Sequence, residues 1–290
     1  MKSEDKHLNT EGQLFIVATP IGNLGDITYR AAEILRKAAV IAVEDTRVSG
    51  RLLSHLGIST SMMVCHEHNE EKAAAKIIHR LKSGEDVALI SDAGTPLIND
   101  PGYRLVKTVR HAGLKVLPIP GASSPIAALC ASGLPTDQFT YAGFFPRSGK
   151  SRTELISTLE KARHTYVLLE SPRRLVKTLE TLDEANMTGR EICVARELTK
   201  LHEAFVCGSV DEVLAHFQQH DPRGEIVLLI GPRSEKVEIT DDDLMSVLDT
   251  KAMHALSPSK RAGAVAKQFG VTKARVYALL LSEGVNAKKQ

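Results

Sequence analysis

The chain has no tryptophan, and phenylalanine and tyrosine together make up only 4% of its 290 residues. So sparse an aromatic content argues against a platform on which bases stack. The four cysteines, Cys65, Cys130, Cys193 and Cys207, show no CxxC or other metal-ligand spacing. Each lies in or beside an apolar segment, so buried thiols are expected and a metal site is not. No stretch approaches the ~18 consecutive apolar residues of a membrane-spanning helix, and the polar amino terminus lacks the apolar core of a signal peptide. A soluble, cytoplasmic protein with no membrane partner is expected. No GxGxxG follows a strand, which counts against a dinucleotide site. Gly143-FFPRS-Gly149-Lys150-Ser151 is a near miss for a phosphate loop: it has one residue too many between the glycines, and Pro146 lacks an amide. With no GxSxG elbow and no cysteine beside an evident histidine partner, covalent hydrolysis has no support.

What the chain does have is a length sufficient for about two domains and ordinary globular composition, 43% hydrophobic and 25% charged. Its net charge of +2 is unevenly spread. Arg233 to Thr250 carries two basic and six acidic residues, whereas Lys251 to Gln290 carries eight basic residues and one acid. A net charge of +7 in that last stretch fits a phosphate-binding footprint, and equally a solvated helical face.

After a polar tail expected to be disordered to about residue 12, the order strand, loop, helix repeats five times. Strands are predicted at Leu14 to Ala18, Val40 to Val43, Met62 to Cys65, Val87 to Ile90 and Val116 to Ile119. Amphipathic helical patterns between them imply a mostly parallel sheet with right-handed crossovers. A break falls at GLPTDQ, Gly133 to Gln138. Strands then read at Phe139 to Phe145, Thr165 to Leu169, Glu191 to Ala195, His202 to Cys207 and Ile226 to Ile230, the third and fourth joined by a link short enough for an antiparallel pair. Beyond an acidic linker, Ser259 to Phe269 and Thr272 to Glu283 read as two helices with helix-turn-helix spacing. The expected division is an α/β domain over 13–135, a second over 136–232 and a helical module over 244–290.

The most site-like stretch is Asp86 to Gly102, DVALISDAGTPLINDPG. An apolar strand runs into a loop of small and polar residues that gives a ligand access to the backbone, while Pro96 and Pro101 stiffen it. At eleven residues, Ser91 to Pro101 exceeds the ~2–6 usual for such connections. Asp100 and Pro101 read as the cap and first residue of the next helix. The other loops leaving the same sheet edge are TPIGNLGD, EDTR, HEHNE and PGASSP, so hydroxyls, carboxylates, glycines and Arg47 converge on the rim where open α/β sheets bind ligands. His66 and His68 flank Glu67 there as a polar rim.

TPIGNLGDIT, AVEDTR, HEHNE, SDAGTPLINDPG, PGASS and ARELTK, in that order, resemble the ribosomal small-subunit methyltransferase I family of the tetrapyrrole-methylase superfamily, over about residues 13 to 232 and on into the helical module. The resemblance implies an α/β, two-domain, class III fold with the small helix-turn-helix-like module behind it. It also implies a homodimer that binds S-adenosylmethionine and methylates the ribose 2'-hydroxyl of a decoding-centre cytidine in 16S ribosomal RNA. By similarity Asp92, Gly94, Thr95, Ser123 and Ser124 line the cofactor pocket, joined by Leu169 and Gly224. The chain departs from the family in Glu170-SPRRL, where members often have histidine in place of Arg173. Candidate groups for the chemistry are Glu44, Arg47, Asp100 and Lys200. Arg147, Lys150, Arg152, Arg173 and Arg174, with Lys260, Arg261, Lys273 and Arg275 of the module, are candidate phosphate contacts. The same fold acting on a tetrapyrrole or another acceptor, and a non-catalytic RNA-binding assembly factor, are the alternative readings.

Overall fold

The computed structural model describes residues 11–233, 240–250, 253 and 256–286, so the tail up to residue 10 lies outside it. Strands β1 (Gln13–Val17), β2 (Val40–Val43), β3 (Met62–Val64), β4 (Val87–Leu89) and β5 (Lys115–Ile119) form one sheet in the order β3-β2-β4-β1-β5. Every pairing in it is parallel. Helices α1 (Tyr29–Lys37), α2 (Thr46–His55), α3 (Glu70–Lys82), α4 (Tyr103–His111) and α5 (Ser124–Ala131) provide the crossovers. The sheet is covered on both faces, which is why β2 and β4 are buried at every position. Leu14, Val40, Ala42 and Val87 pack on one side with Ile77 and Leu105; Val17, Ile41, Val43 and Ala88 pack on the other with Leu35.

The second sheet has the order β6-β7-β10-β8-β9 and comprises β6 (Phe139–Phe144), β7 (Thr165–Glu170), β8 (Glu191–Arg196), β9 (Ala204–Ser209) and β10 (Ile226–Ile230). Only β6 and β7 are parallel; the β8–β9 pair is antiparallel, as the short link requires. Along β10 the side chains alternate. Ile226, Leu228 and Ile230 meet Leu175 of α7 (Pro172–Leu182) and Leu159 of α6 (Gly149–Lys161), while Val227 and Leu229 meet Ala128 and Leu129 of α5. The second face therefore packs on a helix of the first sheet, and the described residues up to Arg233 form one compact unit. Helix α8 (Val210–Gln219), with a Ser209–Glu212 capping box, lies between β9 and β10 in the chain.

The described residues beyond Arg233 cluster as a separate unit. Part of the stretch expected to be a linker is helix α9 (Asp241–Leu248), held by a Thr240–Asp243 capping box. Three aspartates in its first turn explain the acidity, since negative charge is favoured at a helix amino terminus. Leu244 and Leu248 are buried with Ala262, Val265 and Ala266 of α10 (Pro258–Phe269) and Val276 of α11 (Lys273–Asn286). Gly270, with φ 65°, ends α10 in the left-handed conformation that favours glycine.

Two expectations are corrected. Cys193 and Cys207 are bonded to each other, as in-register partners across β8 and β9, and Cys130 is exposed; only Cys65 is a buried thiol. Asp100 does not cap α4, which starts two residues later at a Gly102 with φ 128°. The cap is remote: buried Glu70 accepts the Leu105 amide at 2.7 Å.

Candidate active site

The loops after β1, β4 and β5 are stitched together by hydrogen bonds. Thr19 and Gly94 exchange backbone bonds of 2.8 and 3.1 Å, and the Thr95 hydroxyl donates to the Ala122 carbonyl at 3.0 Å. Gly94, at φ 76°, takes a left-handed conformation that favours glycine, and a β-carbon there would lie 3.3 Å from the Ile21 methyl, tighter than ordinary contact. From the second sheet, the β8–β9 link approaches through the Thr199 hydroxyl, which accepts the Asn23 amide. Four of the five non-glycine residues with positive φ among the described residues, Leu97, Asn99, Glu197 and Thr199, belong to these two loops. Backbone strain of this kind persists at ligand clamps, where the surroundings over-determine it.

Between the two sheets lies a cavity of about 370 Å³, within the range of small-molecule sites. Gly94, Thr95, Ser123, Ser124, Leu169 and Gly224 all line it, so six of the seven residues singled out for the cofactor come together. Asp92 does not line it; its carboxylate accepts the Asp45 amide at 3.2 Å on the rim outside. Ile21, Ile98, Asn99, Tyr141, Phe144, Glu170 and Glu225 also line the cavity and were not singled out from sequence. Ser123 and Ser124 stand at the amino terminus of α5, whose first amides have no partner within the helix.

The charge of the cavity is distinctive. Three carboxylates, Asp100, Glu170 and Glu225, line it, with no cation among the described lining residues. Glu170 is fully committed: it accepts the Ser171 amide at 2.6 Å and the Thr178 hydroxyl at 2.7 Å, and pairs with Arg174. Glu225 pairs with Lys200 at 3.2 Å. Asp100 makes no ion pair among the described residues, and burial raises its pKa, opposed by a hydrogen bond from Ser91 and assisted by Asp92. Half-buried Glu44 is likewise raised, by burial, then by Asp92 and Asp100. Burial also raises Asp92. Burial, reinforced by repulsion among carboxylates of two loops, thus raises the pKa of each.

The remaining candidates are placed as follows. Arg47 is exposed on α2 and pairs with Asp45 at 2.6 Å, not with Glu44. Burial works against the charge of Lys200, but Glu197 and Glu225 outweigh it and hold its pKa above the usual lysine value. A lysine so paired anchors the loop and is no proton acceptor. Arg147, Lys150 and Arg173 are exposed. Arg152 turns inward to the Thr181 hydroxyl and over the Phe145 ring, and Arg174 to Glu170 and the Phe145 carbonyl. Replacing Glu170 by glutamine is expected to destabilise the protein by about 1–3 kcal/mol in urea denaturation, because Arg174 loses its counter-charge in a largely buried setting.

The model of the family described as Tetrapyrrole (Corrin/Porphyrin) Methylases matches residues 13–214. The fold is similar to that of diphthine synthase, with a TM-score of 0.61 at 18% identity, over 76% of this chain and 90% of that one. It is also similar to a cobalt precorrin-4 methyltransferase of cobalamin biosynthesis, at 0.58 and 19%, over 76% and 94%. At full length the chain is similar to proteins named ribosomal RNA small subunit methyltransferase I. It is 42% identical to that of Escherichia coli O157:H7, over 98% of this chain and 99% of the relative. With that of Mesorhizobium japonicum it shares 44%, over 93% and 92%. The chain belongs to the ribosomal RNA small subunit methyltransferase I family.

Proposed function

We propose that this chain transfers the methyl group of S-adenosylmethionine to the 2'-hydroxyl of a decoding-centre cytidine in 16S ribosomal RNA, in the cytoplasm. The observation that carries the reading is the cavity walled by three carboxylates and no described cation, which suits a positively charged sulfonium and repels a pyrophosphate. The residues present fit that cofactor. Tyr141 and Phe144 offer aromatic surface, the hydroxyls of Ser123, Ser124 and Thr95 offer polar contacts, and Gly94 and Gly224 let it reach the backbone.

When bound, the cofactor supplies an electrophilic methyl group on sulfur. The chain must then exclude water, align the acceptor oxygen and remove its proton. Asp100 is the residue for the last task, being the lining carboxylate without an ion pair among the described residues and with a pKa raised toward that of a better base. Asp100 would take the hydroxyl proton as the ribose oxygen accepts the methyl group, the electron pair of the broken bond leaving with the sulfur of the donor. Tritium from methyl-labelled cofactor should appear in the RNA of 30S subunits incubated with the protein. A protein that binds subunits and cofactor yet transfers no label would be a non-catalytic binder.

The helical unit is the proposed RNA-docking module. Arg261 donates to the Leu248 carbonyl and Arg275 pairs with Asp241, while Lys260, Lys267 and Lys273 are exposed. Because α9 shares the core of this unit, the informative truncation removes residues 234–290. Each lost phosphate contact should flatten the dependence of log affinity on log salt by roughly 0.7–0.9, so about 2–3 for three lysines. Cofactor affinity should be unchanged; its loss, or unfolding, would make the unit a structural cap. A homodimer is proposed from the resemblance and from apolar side chains left in solvent, Tyr29 at 99% and Leu201 at 93% exposure. Light scattering should give twice the mass of one chain.

A further inference from the structure

Adjoining the donor cavity at Asn99 and Asp100 is a second, polar pocket of about 530 Å³. Glu44 at the end of β2, His66 and His68 after β3, and Tyr103 and Arg104 in the first turn of α4 line it. Asn99 and Asp100 line both spaces. Transfer between two bound molecules needs the reacting atoms in direct contact, about 3–3.5 Å apart, and two pockets that adjoin at Asp100 let donor and acceptor meet beside one catalytic carboxylate.

Three features mark this pocket as built for a ligand. Tyr103 presents a ring that is 67% exposed, at a helix terminus fixed by the bond from Leu105 to buried Glu70. His66 Nδ1 is buried with no hydrogen-bond partner among the described residues. The wall itself is held in left-handed backbone, at φ 74° for Leu97 and 66° for Asn99, the conformational cost expected at a clamp.

Resting on the function proposed above, we infer that this second pocket seats the acceptor nucleoside, with Glu44 accepting the exocyclic amine of a cytosine and Tyr103 packing against its ring. Cytosine presents an amino donor where uracil presents a carbonyl acceptor. An ionised carboxylate only accepts, so Glu44 pairs with the first and repels the second. Asp100, shared with the donor cavity, is left to the ribose hydroxyl. Arg104, exposed beside Tyr103, is placed for a neighbouring phosphate.

The test uses the full-length protein and 30S subunits reconstituted with cytidine or uridine at the target position, read by label transfer. The parent protein should prefer cytidine by about 10–100-fold, the discrimination a specific base contact provides. Glu44→Gln, whose amide can donate as well as accept, should bring the two within about threefold. Tyr103→Ala, at a position exposed enough to spare the fold, should raise KM for subunits about tenfold with cofactor affinity unchanged. An unchanged preference in a folded Glu44→Gln, or an unchanged KM in Tyr103→Ala, would overturn the inference while leaving the methyl-transfer reading intact. Absence of transfer by the parent protein to either substrate would overturn both.

Discussion

Asp100→Asn is expected to slow methyl transfer by about 10²–10⁴-fold, the range for loss of a positioned general base, while changing cofactor affinity by less than about tenfold. The substitution keeps the shape of the wall between the two pockets and removes only the ability to take a proton. It should also have an opposite effect on stability. Burial raises the Asp100 pKa, so the folded chain holds that proton more tightly than the unfolded one. Ionisation of Asp100 therefore costs stability, a cost absent below the unfolded-state pKa of about 4 and fully present above the folded value. The asparagine variant should melt higher than the parent at pH 7.5, and the advantage should vanish near pH 3. An inactive variant that is also more stable marks a group held for chemistry; lower stability at neutral pH would mark Asp100 as structural.

Gly94→Val should weaken S-adenosylmethionine binding by about 100-fold or more in calorimetry. At φ 76° a branched side chain is strained by about 1–3 kcal/mol. A β-carbon there would lie 3.3 Å from the Ile21 methyl, and valine adds two further methyls at a residue that lines the donor cavity. The Thr19–Gly94 bridge that joins the loops after β1 and β4 would have to shift to relieve the crowding. Circular dichroism separates this local effect from unfolding: the signal should match the parent at 25 °C. Retained affinity in a folded variant would place the cofactor elsewhere.

The strands of the first sheet were legible because each is a short, predominantly apolar run between polar loops, and all five form within one residue of their expected ends. The second sheet was legible for the same reason except at β9, which starts at Ala204 and not at His202. The difference comes from the preceding link, where Glu197 and Thr199 take left-handed backbone and the Thr199 amide bonds to Glu203. No propensity scale anticipates such a turn, because it is imposed by contacts with the loop at Asn23. The α4 cap was missed for a related reason: Asp100 and Pro101 have the right local chemistry, but Glu70, distant in sequence, supplies the bond across the sheet edge.

The donor cavity was legible through its small residues, which sit at predictable strand ends. Its aromatic wall was not. A low overall aromatic count gave no hint that Tyr141 and Phe144 would meet in one cavity and Tyr103 would stand beside the next. Nor did the motif distinguish Asp92 from Asp100: both follow the same strand, and only the folded loop turns one outward to Asp45 and the other into the wall shared by both pockets.

Mass spectrometry of nuclease-digested 16S RNA from 30S subunits treated with the protein and S-adenosylmethionine tests the proposed activity most directly. A shared wall carrying one carboxylate base predicts a new cytidine bearing a single methyl group on the ribose, absent when Asp100→Asn replaces the parent protein. A methyl on the cytosine base, or equal product from the asparagine variant, would contradict it.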